Sequence, residues 1–134
     1  MPADEDAGFI QDTLNRYYDS GVDGANLKRF EISVSDNGFC KYKKFYKNGK
    51  TELFSFNLLR LKEMAYYGNN LAGQLYLFTR NDDVIVQTHN DRKGDIDSMA
   101  TEMVIPIRQI EAEQLNALAG QFRHFTQRLA GKPE

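Results

Sequence analysis

The sequence predicts an α+β fold in which antiparallel strands lie between a short N-terminal helix and a longer C-terminal helix. Three observations predict it. Apolar and polar residues alternate in short segments between residues 28 and 107, which is typical of strands with one buried face. Two Asn-Gly pairs, which favour tight turns, separate the first three of these segments. After residue 110 the apolar residues take the three-and-four spacing of an amphipathic helix.

The N-terminus is predicted to contain a disordered segment over residues 1–7 and a helix over residues 8–20. The first segment is acidic and rich in small residues, which is typical of a frayed chain end. The apolar face of the helix contains Ile10, Leu14, Tyr17 and Tyr18. Gly21 is expected to end this helix.

The central region is predicted to form seven strands. Asp36-Asn37-Gly38 and Asn48-Gly49 are interpreted as type I′ turns, because Asn and Gly tolerate a positive φ. A polar loop is predicted over residues 90–98. Residues 59–67 suit either a helix or an irregular strand, and the neighbouring strands favour a strand. The other six strands are predicted at 30–34, 39–47, 51–58, 74–79, 84–89 and 101–107.

A C-terminal helix is predicted over residues 110–130 and should cover the open sheet. Its apolar stripe contains Leu115, Leu118, Phe122, Phe125 and Leu129. Gly120 lies in the middle of the helix, where glycine costs about 1 kcal/mol relative to alanine. A close approach of the sheet backbone would explain a glycine at that position.

The order of these elements resembles a pleckstrin-homology-like barrel. It is also similar to small uncharacterised bacterial proteins of that fold, which begin with a helix resembling residues 9–15. Those proteins end with a helix resembling residues 112–118 and 122–125. The resemblance implies a seven-strand antiparallel barrel or curved sheet with a capping helix. It implies no activity, since such folds host many functions.

Length, charge and composition argue against several classes of protein. The 134 residues suffice for one domain, and a net charge of −2 argues against a general nucleic-acid or membrane electrostatic role. No apolar run reaches the roughly 18 residues that a membrane-spanning helix needs. Cys40 is the only cysteine, so no intramolecular disulfide can form. The first residues do not resemble a secretion signal, and the cytoplasm is the default expectation unless a leader precedes them.

One strand combines lysines with aromatic residues and supplies the candidate binding site. The candidate binding residues are Lys41, Tyr42, Lys43, Lys44, Tyr46 and Lys47. Ammonium groups attract phosphates and carboxylates, and aromatic rings add contact area, so this strand could bind an acidic partner. The alternative is an edge strand whose lysines discourage pairing with other chains.

The other polar groups predict neither catalysis nor a metal or cofactor. Loop acids at Asp82, Asp83, Asp91, Asp95 and Asp97 lack the spacing of a calcium loop and are interpreted as solvated charge. A thiol or metal enzyme would require Cys40 to lie near His89 or His124 in the fold. No phosphate-binding loop, nucleophile elbow or His-Glu-x-x-His motif is present.

These observations favour a non-enzymatic binding module that engages an unidentified protein, as an immunity-type or accessory protein would. Seven tyrosines suit such an interface, although they suit the rim of a small barrel equally well. The sequence is also compatible with a homodimer. The alternative function is a small-ligand or lipid-binding domain that uses the cleft between barrel and helix, or the basic hairpin 41–50.

Overall fold

Eight antiparallel strands form two sheets between two helices in the computed structural model, which describes residues 3–22 and 24–131. The helices are α1 (Ala3–Tyr17) and α2 (Ala112–Leu129). The strands are β1 (Leu27–Val34), β2 (Phe39–Tyr46), β3 (Thr51–Asn57), β4 (Leu61–Gly68), β5 (Ala72–Thr79), β6 (Val84–His89), β7 (Ile96–Ala100) and β8 (Glu102–Arg108). The α+β class with antiparallel strands is confirmed.

The two sheets are connected by strands that follow one another directly, bending from one sheet into the other. Their strand orders are β1-β2-β3-β6-β7 and β4-β5-β8. β3 continues into β4 through a 3-10 turn at Leu58–Arg60, β5 continues into β6 through residues 80–83, and β7 continues into β8 at Thr101. Hydrogen bonds from Arg80 N to Arg60 O (3.0 Å) and from Thr79 N to Thr101 O (2.9 Å) join these corners. The described residues form eight strands, so the prediction of seven strands is wrong. The two sheets are open and do not close into a barrel.

The additional strand is β7, which begins within the segment predicted as a polar loop over 90–98 and extends to Ala100. It pairs only with β6 and forms an edge of the five-stranded sheet. Its first four residues are exposed, so it lacks the buried face that produces an alternating pattern. Residues 59–67 contain the end of the 3-10 turn followed by β4, so the choice of a strand over a helix is confirmed from Leu61 onward.

The first two hairpin turns lie where they were predicted, but they are not type I′. Gly38 and Gly49 both have φ of 93°, whereas the preceding Asn37 and Asn48 do not have positive φ. Gly38 N donates to Ser35 O and Gly49 N donates to Tyr46 O, each at 3.0 Å. This is a type I turn followed by a left-handed glycine, the usual three-residue hairpin loop.

α1 starts within the segment predicted to be disordered over 1–7, and residues 1 and 2 lie outside the described residues. The helix predicted over 8–20 runs from Ala3 to Tyr17. Asp6 and Ala7 are buried, and the Asp6 carboxylate lies against α2. The acidic composition that suggested disorder instead supplies a counter-charge inside the fold.

α1 and the residue that follows it cover one edge of each sheet. Gln11 Oε1 accepts a hydrogen bond from Val34 N (2.9 Å), and Asn15 Nδ2 donates to Ile32 O (3.0 Å), so two side-chain amides pair with the edge of β1. Beyond the helix, Tyr18 forms a bridge with Ile107 on β8. Side-chain and backbone groups of this region thus replace the neighbouring strand that each edge lacks.

α2 packs its predicted stripe against the core. Leu118, Phe122 and Phe125 are buried, while Leu115 and Leu129 are partly buried. The explanation predicted for Gly120 is wrong, because no described sheet residue approaches an added β-carbon there, and the atom that lies near it is Arg123 Nη2 of the same helix, at 3.7 Å. Within the described residues, neither helix is long and apolar enough to cross a membrane.

Candidate functional site

β2 contains all of the predicted site residues except Lys47, and it lies in the interior of its sheet. β1 pairs with it on one side and β3 pairs with it on the other. An interior strand exposes no unpaired backbone edge. The alternative interpretation, in which the lysines protect an edge strand, is therefore wrong for β2.

The six predicted residues are divided between the two faces of this sheet. Lys41 and Lys43 lie on the outer face, opposite Ser33 and Glu31 on β1. Tyr42, Lys44 and Tyr46 alternate with them and lie on the inner face. The side chain of Lys47 is exposed in the turn that follows, and its backbone N–H donates to Asn26 O at 2.9 Å.

On the outer face of β1 and β2, two cations lie over one aromatic ring. The guanidinium carbon of Arg29 lies 3.8 Å from the centre of the Phe45 ring, and Lys43 Nζ lies 4.8 Å from it. Arg29 also pairs with Glu31, with 2.5 Å between Nη1 and Oε2. Cation–π contacts of this kind contribute roughly 0.5–1 kcal/mol at exposed sites, enough to restrict where the cations lie. The basic outer face is defined here as Arg29, Lys41, Lys43 and Phe45.

Apolar side chains continue this outer face toward the other edge of the sheet. Lys41 pairs with Ser55 on β3, Ser55 pairs with Ile85 on β6, and Ile85 pairs with Met99 on β7. Ile85 and Met99 are both exposed. One side of the five-stranded sheet therefore carries the basic outer face beside the exposed apolar side chains of Ile85 and Met99.

The inner face uses its aromatic residues for packing. Tyr42 is buried, and its hydroxyl lies 2.5 Å from that of Tyr18. Its ring stacks with that of Phe54 at 5.6 Å. Tyr46 donates to Glu52 Oε1 at 2.7 Å, and Lys44 Nζ lies 5.7 Å from the Tyr46 ring. These contacts give Tyr42 and Tyr46 roles within the fold.

A cleft of about 370 Å³ lies beside this inner face, between the two sheets. Tyr42, Lys44 and Phe54 line it from the five-stranded sheet, and Glu102 and Val104 line it from β8. Lys44 is thus placed between tyrosine rings at the border of a cleft that also contains a carboxylate. The lining of this cleft thus carries one acid and one base among mostly apolar residues.

Cys40 cannot serve as a nucleophile in this fold. Its side chain is fully buried, and burial raises the pKa of the thiol to about 12. A protonated, inaccessible thiol is inert toward electrophiles. His89 instead lies 3.6 Å from Asp95, and His124 lies 3.7 Å from Asp6, in each case measured between ring nitrogen and carboxylate oxygen.

The acidic loops use their carboxylates to accept backbone hydrogen bonds. Asp83 accepts from Asn81 N at 3.0 Å, Asp91 from Lys93 N at 3.1 Å, and Asp95 from Asn90 N at 2.8 Å. These are local bonds that shape turns. No group of three or more His, Cys, Asp or Glu side chains in the described part of the chain is arranged to hold a metal ion.

The structure contains a second charged site, which the sequence did not reveal. A groove of about 370 Å³ lies between α2 and β4. Three cations line it: Lys62 from β4, Arg80 from the segment after β5, and Arg123 from α2. These residues are far apart in the sequence, and no motif joins them, so only the fold shows that they share a groove.

Comparison with protein-family models, curated proteins and solved structures finds no match for this chain. The functional argument therefore rests on the geometry of the molecule itself.

Proposed function

We propose that the protein is a binding module that uses the basic outer face to engage a protein partner with an acidic surface. The observation that carries this proposal is the position of β2 inside its sheet. Its outward lysines have no edge to protect, and they lie beside Arg29 on the neighbouring strand. Complementary charge would steer such a partner toward this face and orient it there.

The rest of the outer face supports a protein as the partner. A typical protein interface has an apolar centre with a charged border. Ile85 and Met99 provide exposed apolar surface on the same face as Lys41. The sheet thus offers both apolar contact area and charge on a surface that the strands hold rigid. An immunity-type or accessory protein of a bacterium, in the cytoplasm, would use such a surface.

The pleckstrin-homology-like resemblance remains part of this proposal. The succession of a short helix, antiparallel strands and a closing helix supports it. The resemblance concerns the scaffold, and the binding role depends on the side chains that the scaffold displays.

Charge reversal tests the proposal. The double variant Lys41→Glu/Lys43→Glu inverts two charges on the basic outer face, and Arg92→Glu/Lys93→Glu inverts two charges in the exposed loop between β6 and β7. Each protein is immobilised and exposed to lysate of the source cells, and the retained protein is identified, purified and titrated against all three forms. We expect the first variant to bind an acidic partner at least about tenfold more weakly, which corresponds to about 1.4 kcal/mol.

The control variant should bind within about twofold of the original protein, because its charges are not part of the basic outer face. Circular dichroism of all three forms checks that the fold is retained. Equal affinity of the two variants for the partner, or retention of no acidic protein by the unaltered chain, would contradict the proposal.

A further inference from the structure

The groove between α2 and β4 combines an apolar floor with a cationic border. Leu61 and Phe122 are buried at its floor, and Met64 is partly exposed beside them. Lys62, Arg80 and Arg123 are exposed around it. Its volume of about 370 Å³ falls in the roughly 300–1,000 Å³ range of small-molecule sites.

A β-bulge shapes the strand side of the groove. The register between β4 and β5 shifts between Leu61 and Glu63, which makes Lys62 the irregular residue. Consecutive residues of a regular strand point to opposite faces, yet all four residues 61–64 line this groove. Bulges commonly re-aim a side chain in this way next to binding sites.

The three cations have no counter-charge in an ion pair with any described residue. Among the residues that the structure describes, neither Lys62 nor Arg80 nor Arg123 takes part in an ion pair. Glu63 is the one carboxylate among the described lining residues, so positive charge predominates. The backbone of Arg80 is fixed by its hydrogen bond to Arg60, and the Arg123 guanidinium lies back over Gly120.

We infer that this groove binds a small amphiphile with a carboxylate or phosphate head. The head lies among Lys62, Arg80 and Arg123, where guanidinium groups can bind two oxygens at once. The apolar body lies against Leu61, Met64 and Phe122 and gains the free energy of leaving water. The site is separate from the basic outer face, so it adds a ligand to the protein rather than a second contact for the same partner.

Three probes that share a ten-carbon chain test this inference on the full chain. Decanoate and decyl phosphate carry the two anionic heads, and decan-1-ol carries none. Each is titrated by calorimetry and by NMR, the two anions below their critical micelle concentrations and the alcohol below its solubility limit. We expect saturable one-to-one binding of at least one anion and at least tenfold weaker binding of the alcohol. The tighter of the two anions identifies the preferred head group.

Substitutions locate the site. Arg80→Glu/Arg123→Glu should weaken binding of the anionic probe at least tenfold, while Arg92→Glu/Lys93→Glu should leave it within about twofold, because that loop does not line the groove. On the unaltered protein the methyl resonance of Met64 should shift with the probe, and that of Met99 on the other sheet should not. This second readout does not depend on any variant folding.

Three results would overturn the inference. They are absence of saturable binding by both anions, binding of decan-1-ol as tight as theirs, and resonance shifts that spare Met64.

Discussion

The arginines on the two flanks of α2 differ in whether they form an ion pair with a described residue. On the flank facing α1, the Asp6 carboxylate accepts a hydrogen bond from Gln121 and lies 3.5 Å from Arg128 Nη1 and 3.7 Å from His124 Nε2. The side chain of Asp6 is only 1% exposed. On the flank facing β4, Arg123 has no ion pair among the described residues.

This difference separates structural charge from charge that is available to a ligand. A buried carboxylate is stable only beside cations and donors, so Asp6 and Arg128 hold the two helices together. Arg123 makes no such contact with the described residues, so its charge is free to pair with a bound anion. The same helix therefore carries a buried ion pair on one side and lines a cationic groove on the other.

Phe122→Ala should produce the largest effect, because Phe122 belongs to the core that both flanks share. Its side chain is 1% exposed. Removing a buried phenylalanine side chain typically costs about 3–5 kcal/mol of unfolding free energy. Chemical denaturation measures this loss, with the exposed Phe9→Ala as a control that should lose less than about 1 kcal/mol. A loss below about 1 kcal/mol for Phe122→Ala would refute the packing of α2.

Gly120→Ala should have a smaller effect of opposite sign. An added β-carbon would meet only Arg123 Nη2, at 3.7 Å, which is an ordinary contact. The protein should gain up to about 1 kcal/mol, because alanine is the better helix former. The reciprocal change Ala117→Gly, at an exposed position of the same helix, should lose a similar amount. Destabilisation by Gly120→Ala in a thermal melt would show that the helix is closely packed at that point.

Local patterns in the sequence were sufficient to predict the elements whose position depends on nearby residues. The stripe from Leu115 to Leu129 and the Asn-Gly turns were predicted at their observed positions because they depend on neighbouring residues. β7 was missed because an edge strand with an exposed surface needs no alternation. The start of α1 was missed because the side chains that contact Asp6 lie at the opposite end of the chain.

The candidate site required the fold. Strand alternation in the sequence is enough to divide the lysines of β2 between two faces, but only the sheet order shows that β2 is an interior strand. Lys62, Arg80 and Arg123 belong to three separate elements, and tertiary structure alone brings them to one groove. Charge that depends on long-range contacts leaves no local signal in the sequence.

A matched pair of arginine substitutions tests the difference between the flanks most directly. Arg128→Gln removes a cation whose side chain is 17% exposed beside the buried Asp6, and Arg123→Gln removes an exposed one five residues earlier on the same helix. Denaturant unfolding should show a loss of about 1–3 kcal/mol for Arg128→Gln, because a buried carboxylate loses its partner. Arg123→Gln should stay within about 0.5 kcal/mol of the original protein. Equal losses, or a larger loss for Arg123→Gln, would contradict the account.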